Sequence, residues 1–192
     1  MDLGSSDGGT LRHISELRPD LRLASSDIAG SPSQYPSGTE FKRADFNTER
    51  LPWNDRTFDG ITCMHVIEHL RTPSHLIEEA ARVLKPGGLL YIETPHPKTV
   101  NLASAQGKGT EHITVNFFDD ATHVAPVSSQ ELEAYCRVAG FSALKSGVSR
   151  NLLFAALYPV LLVLRPRTRA RYVAQLHFTG WSIYTIAAKP MG

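Results

Sequence analysis

The stretch FDGITCMHVIEHLRTPSHLIEEAARVLKPGGLLYIETPHP, residues 58–97, reads as a strand, a helix and a second strand. Phe58 to Met64 is an apolar run of the length that a buried strand needs. Thr72-Pro73 sets a capping residue before a proline at the first helical position. The helix turns Leu76, Ile77, Ala80, Ala81 and Leu84 inward, and Lys85-Pro86-Gly87-Gly88 ends it. Leu89 to Glu93 is the next strand. Strands that alternate with helices in this way predict an α/β sheet.

The alternation continues on both sides. Upstream, Thr10 to Leu17 places Leu11, Ile14 and Leu17 on one helical face before Pro19 and Asp20 stop it. Leu21 to Ser26 is a short strand ending at Asp27, Ala29 to Thr39 is loop or a poorly ordered helix, and Phe41 to Asp45 is an edge-side strand. Downstream, residues 95–127 form a long irregular segment carrying prolines and histidines, and connections of that length are usually functional. Ser128-Ser-Gln-Glu131 is a capping box that opens a helix ending at Gly140. Phe141 to Gly147 and Ser182 to Ala188 read as two closing strands, with an apolar helix and an arginine cluster between them. No internal repeat or low-complexity tract interrupts the pattern.

A chain of 192 residues suits one domain with a full core, here 1–192. With 20 basic against 19 acidic side chains, composition offers no electrostatic case for nucleic acid as a partner. Cys63 and Cys136 lie far apart in apolar settings, which predicts reduced thiols and a cytoplasmic protein. The N-terminus lacks the basic start and apolar run of a signal peptide.

The chain opens MDLGSSDGGT, the end of a buried strand breaking into a glycine turn. In a parallel α/β sheet, ligands bind beyond the carboxyl ends of the strands. A glycine loop there lets backbone amides approach a ligand, and Asp27, about 20 residues on, is placed to take ribose hydroxyls. The Gly-x-Gly-x-x-Gly fingerprint of a dehydrogenase is not supplied.

The blocks FKRADFNTERLPWNDRTFDGITCMHVIEHL (41–70) and LIEEAARVLKPGGLLYIETPHP (76–97) resemble the class I S-adenosylmethionine-dependent methyltransferases, within the group that includes ubiquinone-biosynthesis-type O-methyltransferases. The resemblance covers roughly residues 1 to 147. It implies a three-layer αβα sandwich around a Rossmann-like, mostly parallel seven-stranded sheet with an antiparallel last strand. It implies S-adenosyl-L-methionine as cofactor and methylation, most simply at oxygen, of a small molecule or a glycan. By the same resemblance Asp2, Gly4 and Gly8 hold the methionine end, Asp27 meets the ribose, Ile28 beside it also touches the cofactor, Asp45 and Phe46 meet the adenine, and His65 lines the sulfonium end. Ser6 stands where the family usually has its middle glycine. A side chain there can crowd the cofactor or shift the loop, because glycine's value is its missing Cβ and its freedom in φ, so a degenerate methyltransferase fold with weak or no catalysis is the alternative reading. The family also has more of the first strand and usually a helix before it, so a start downstream of the natural one, or a short and fragile first strand, is expected.

His65-x-x-Glu68-His69 has the wrong order for a zincin helix, and no metal is expected. Methyl transfer to a hydroxyl gains from a general base within reach, and the long segment offers His96, His112 and His123 beside Asp119 and Asp120. NFFDDATHVAPVSSQEL (116–132) resembles the family's block before the last helix, which makes His123 the first candidate base and His96 the second. His123 can equally satisfy a loop carbonyl. Leu152 to Leu164 is apolar nearly all round, and Arg165, Arg167, Arg169 and Arg171 follow. This helical insertion, about 150–178, reads as a core or lid helix with solvated arginines, a homodimer contact, or a membrane-surface contact through 152–171 that leaves the protein peripheral to the bilayer.

Overall fold

The computed structural model describes residues 1–104, 114–164 and 168–192. His112, Arg165 and Arg167 lie outside the described residues. Seven strands form one sheet: β1 Asp2–Leu3, β2 Ala24–Asp27, β3 Glu40–Arg43, β4 Phe58–Met64, β5 Leu84–Pro95, β6 Ala143–Ser149 and β7 Ser182–Ala188. Their spatial order is β3-β2-β1-β4-β5-β7-β6. β7 runs antiparallel to both its neighbours, and the other pairings are parallel. This is the Rossmann-like α/β arrangement with one reversed last strand.

Five helices accompany it among the described residues: α1 Gly9–Leu17, α2 Pro73–Val83, α3 Ser129–Val138, α4 Leu152–Leu164 and α5 Arg169–Thr179. α2 buries Leu76, Ile77, Ala80 and Val83, and α3 buries Leu132 and Cys136, in one core with Ile61, Cys63, Leu90 and Ile92 of the central strands. The alternating residues of β5 point to the opposite face, where Leu89 and Tyr91 share an apolar cleft of about 720 Å³ with Leu11 and Ile14 of α1 and with Ile186. That cleft lies at the starts of the parallel strands, away from their carboxyl ends. The Ser128 hydroxyl and Glu131 carboxylate make the capping box that the sequence predicts for α3.

The Lys85-Pro86-Gly87-Gly88 turn differs from expectation. It ends α2, yet the strand has already begun at Leu84 and bulges out at the turn before re-pairing at Leu89 with Gly60. Gly87 sits at φ 77°, and the Gly87 amide and Gly88 carbonyl both bond to the backbone of Lys189, so the turn is sewn to the end of β7. A β-carbon on Gly88 would meet the Asp59 carbonyl oxygen at 3.2 Å, a close approach that glycine permits. β6 begins two residues later than the apolar pattern predicts, because Phe141 folds back into the core through its amide bond to the Cys136 carbonyl.

Candidate active site

The carboxyl ends of β1, β2 and β4 meet where the helices leave the sheet on opposite faces, the place where such sheets bind ligands. The loop after β1 alternates in hand: Gly4, Ser6 and Gly8 take φ of 70°, 45° and 81°. Successive residues of alternating hand turn backbone N–H groups into one concavity. A β-carbon on Gly8 would strike the Gln34 carbonyl oxygen at 2.6 Å and the Tyr35 ring at 2.9 Å, and one on Gly4 would strike the Val66 side chain. Glycine is required at both positions. Ser6 adopts the left-handed conformation with its side chain exposed, so the loop keeps its shape without the middle glycine.

Asp27 is joined to this loop. One carboxylate oxygen accepts the Ser6 amide at 2.8 Å and the other accepts the Ala29 amide at 2.9 Å. Each oxygen keeps a second lone pair for a hydroxyl. Ile28 beside it is 51% exposed, an apolar side chain left open at the rim. Asp2 is buried and accepts the Thr62 hydroxyl at 2.6 Å across the β1–β4 pairing. Burial raises its pKa to about 6, against the opposing pull of the Thr62 bond.

Asp45 and Phe46 lie beyond β3, held to β2 by the bond from the Ala44 amide to the Asp27 carbonyl. Asp45 accepts the Asn47 amide and the Thr48 hydroxyl, so its carboxylate shapes the local turn. Phe46 belongs to the core, with only 7% of its surface exposed. The structure therefore brings Asp2, Gly4, Ser6, Gly8 and Asp27 together and leaves the Phe46 ring mostly inside.

On the other side, His65 takes φ 55° at the end of β4. Its Nδ1 bonds Glu68 Oε1 at 3.2 Å and its Nε2 faces Glu93 Oε1 at 3.7 Å. Burial pulls the imidazole pKa down, but Glu68 and Glu93 outweigh it and lift the value to about 9. One imidazolium between two carboxylates leaves the group net negative, which favours a cationic neighbour. Glu68 is fully buried; its second oxygen accepts the Thr94 hydroxyl at 2.9 Å, and its carbonyl accepts the Val124 amide at 2.8 Å.

His123 is packed between the rings of Phe117 and His69, and its side chain is 5% exposed. Nδ1–H donates to the Phe117 carbonyl, 2.6 Å away, which leaves the lone pair on Nε2, 3.9 Å from Asp120 Oδ2. His96 has the opposite tautomer. Its Nδ1 accepts the Lys98 amide at 3.1 Å, so the ring proton sits on Nε2. Burial and the nearby Lys98 lower its pKa, and the neutral ring is a hydrogen-bond donor with no free lone pair. Glu68, His69 and His123 bring one ligand atom each within 4.8 Å of one another, a spacing that a cation could bridge.

A family model described as a methyltransferase domain matches residues 1–146. The chain belongs to the methyltransferase domain family. Its class is that of the S-adenosylmethionine-dependent class I methyltransferases, and S-adenosylmethionine is the cofactor assigned by that membership. The domain is 31% identical over 151 residues to the ubiquinone biosynthesis O-methyltransferase of Pseudomonas putida, a match that covers 73% of this chain and 62% of that protein. The chain thus spans less than two thirds of that relative's length. A SAM dependent methyltransferase from Archaeoglobus fulgidus has the same fold, with a TM-score of 0.65 at 19% identity over 98% of this chain and 84% of that one. So does phosphoethanolamine N-methyltransferase 2 of Haemonchus contortus in complex with S-adenosyl-L-methionine, with a TM-score of 0.66 at 13% identity over 98% of this chain and 48% of that one.

Four residues beside the candidate site have contacts that the sequence does not announce. Tyr35 is buried over the loop, where the Ser5 hydroxyl bonds its phenol at 3.0 Å. Glu68 and Glu93 set the charge of His65. Trp181 packs 5.5 Å from the His65 ring and donates from Nε1 to the Val115 carbonyl at 2.8 Å. Tyr35, Glu93 and Trp181 act through partners far away in sequence, and Glu68 is tied to Thr94 and Val124 as well as to the nearby His65.

Proposed function

We propose that the chain transfers a methyl group from S-adenosylmethionine to a hydroxyl oxygen of a small molecule or a glycan. The observation that carries this reading is the junction of the left-handed 4–8 loop with Asp27 at the ends of β1 and β2. The cofactor, when bound, would supply a methyl carbon on sulfonium for a new C–O bond, with S-adenosylhomocysteine as the leaving group. The protein's own task is then placement and exclusion of water. Asp2 and the loop amides hold the amino-acid end, Asp27 the ribose, and Ile28 and Asp45 border the adenine. The net-negative His65–Glu68–Glu93 group faces the cationic centre. His123 Nε2 takes the hydroxyl proton, with Phe117 fixing its tautomer and Asp120 balancing the imidazolium that forms. His96 Nε2–H steadies the acceptor as a donor. The name of the Pseudomonas putida relative supports oxygen as the acceptor atom, and two free, buried cysteines suit a reducing cytoplasm.

Isothermal titration calorimetry tests the cofactor half. S-adenosylmethionine and S-adenosylhomocysteine are expected to bind, and Asp27→Ala to weaken both by at least about tenfold, the loss of one charged hydrogen-bond acceptor. No heat with either ligand at high protein concentration would overturn the reading.

The convergence of Glu68, His69 and His123 favours a second reading of the acceptor half, in which a divalent cation rather than a base draws the hydroxyl in. Elemental analysis of the purified protein and turnover after dialysis against a chelator separate the two. Unchanged turnover in metal-free protein rejects the cation, and loss restored by added divalent ion rejects a metal-free base.

A further inference from the structure

α4 is an apolar helix with no core to enter. Leu152, Leu153, Val160, Val163 and Leu164 are each half exposed or more, with Val163 at 83%. At about 100° per residue these positions wrap a broad arc of the helix. The remaining side packs on α5, where Tyr158 meets Phe178 at 5.0 Å and Phe154 meets His177 at 5.6 Å. Helices apolar all round are normally buried in a large core or in lipid. This one stands outside the residues that match the family model.

Charge selects the occupant. After Glu133 the sequence contains no Asp or Glu, so the helix pair and both strands flanking it carry only cationic charged side chains. Arg150 precedes α4, and Arg169 and Arg171 open α5. A protein partner would cover one flank of α4, whereas acyl chains cover a wide arc at once, and phosphate headgroups meet the arginines beside it. At about 1.5 Å per residue α4 is roughly 20 Å long, and no helix among the described residues is long and apolar enough to cross a membrane. The geometry points to a helix lying in the plane of an interface.

We propose that the α4–α5 hairpin docks the protein on an anionic phospholipid surface, with α4 sunk among the upper acyl chains and Arg150, Arg169 and Arg171 on the headgroups. The hairpin is tied to the site: the Tyr172 hydroxyl of α5 donates to the Thr114 carbonyl at 2.9 Å, and Trp181 after α5 bonds Val115 beside it. Docking therefore holds Trp181, 5.5 Å from the His65 ring, beside the bilayer, where an acceptor dissolved in or anchored to lipid is within reach. That last extension rests on the methyl-transfer reading; the docking itself does not.

Co-sedimentation of the full chain with vesicles tests the docking, using phosphatidylcholine alone and phosphatidylcholine mixed with phosphatidylglycerol. Binding is expected to the mixed vesicles, several-fold weaker to the neutral ones and weaker at high salt. Val160→Glu with Val163→Glu is expected to lower binding at least about tenfold, since both methyl-bearing side chains lose their place in the acyl layer. Arg169→Gln with Arg171→Gln is expected to lower it about fivefold per arginine and to remove the preference for anionic lipid. Circular dichroism and thermal melting, which need no cofactor, verify that each variant is folded. Wild-type protein that stays in the supernatant with both vesicles overturns the proposal, and so do folded apolar variants that still sediment like wild type. A lipid-free dimer that Val160→Glu dissolves would assign the face to a second copy and overturn it too.

Discussion

Asp2→Asn is expected to gain stability relative to wild type as pH rises, while losing the cofactor. The folded protein holds the Asp2 proton more tightly than the unfolded chain does, with a pKa of about 6 against 3.8. The penalty for a buried carboxylate is therefore absent below about pH 4 and complete above about pH 6. A pKa difference of that size corresponds to about 3 kcal/mol. Asparagine still accepts the Thr62 hydroxyl that Asp2 accepts at 2.6 Å, but it never ionises. Between pH 4 and pH 7 the melting temperature of the variant should thus rise against that of wild type by roughly 6 to 12 °C, at about 2–4 °C per kcal/mol for a domain of this size. Comparing the two proteins at each pH removes the contribution of every other titrating group. S-adenosylmethionine should narrow the difference at neutral pH, because under the proposed function the carboxylate meets a cationic ligand whose charge the amide cannot match. Its affinity for the variant should fall by at least about tenfold. A difference in melting temperature that does not change with pH would show that Asp2 is not desolvated as described.

What the sequence made legible follows the range of the interactions involved. The β4–α2–β5 unit is local, its apolar period unbroken from Phe58 to Glu93, and only the bulge at Gly87 departs from it. Asp27 was legible because its distance from the loop is fixed by one strand–helix–strand unit. The Phe46 ring shows the limit: the resemblance placed it beside the adenine, but apolar burial drew the ring into the core. Glu68 was illegible because its three ties, to His65, Thr94 and Val124, span from three to more than fifty residues and include a carbonyl that no composition marks. Tyr35 lay in a segment rich in serine, proline and glycine, where nothing announces a buried ring. α4 was legible as a helix, but the choice between a core and an exposed position was not, since an apolar stripe reports an inside only when a polar stripe accompanies it.

His123 separates a structural role from a chemical one more sharply than any other residue of the site. Its Nδ1 holds the Phe117 carbonyl at 2.6 Å, which leaves the ring's lone pair on Nε2. An asparagine places its amide nitrogen where Nδ1 was and nothing where Nε2 was. His123→Asn is expected to keep the Phe117 bond and to melt within a few degrees of wild type. His123→Ala leaves that buried carbonyl unpaired and a void between Phe117 and His69, and should cost about 2–4 kcal/mol. If Nε2 removes the hydroxyl proton, both variants lose about 10²- to 10⁴-fold in kcat with little change in cofactor affinity, whatever their stability. If His123 only closes the 117–123 turn, turnover follows stability, and the asparagine variant works while the alanine variant fails. Single-turnover methyl transfer, read beside thermal melts, distinguishes the two, because only the chemical role predicts a folded protein that binds cofactor normally and does not react.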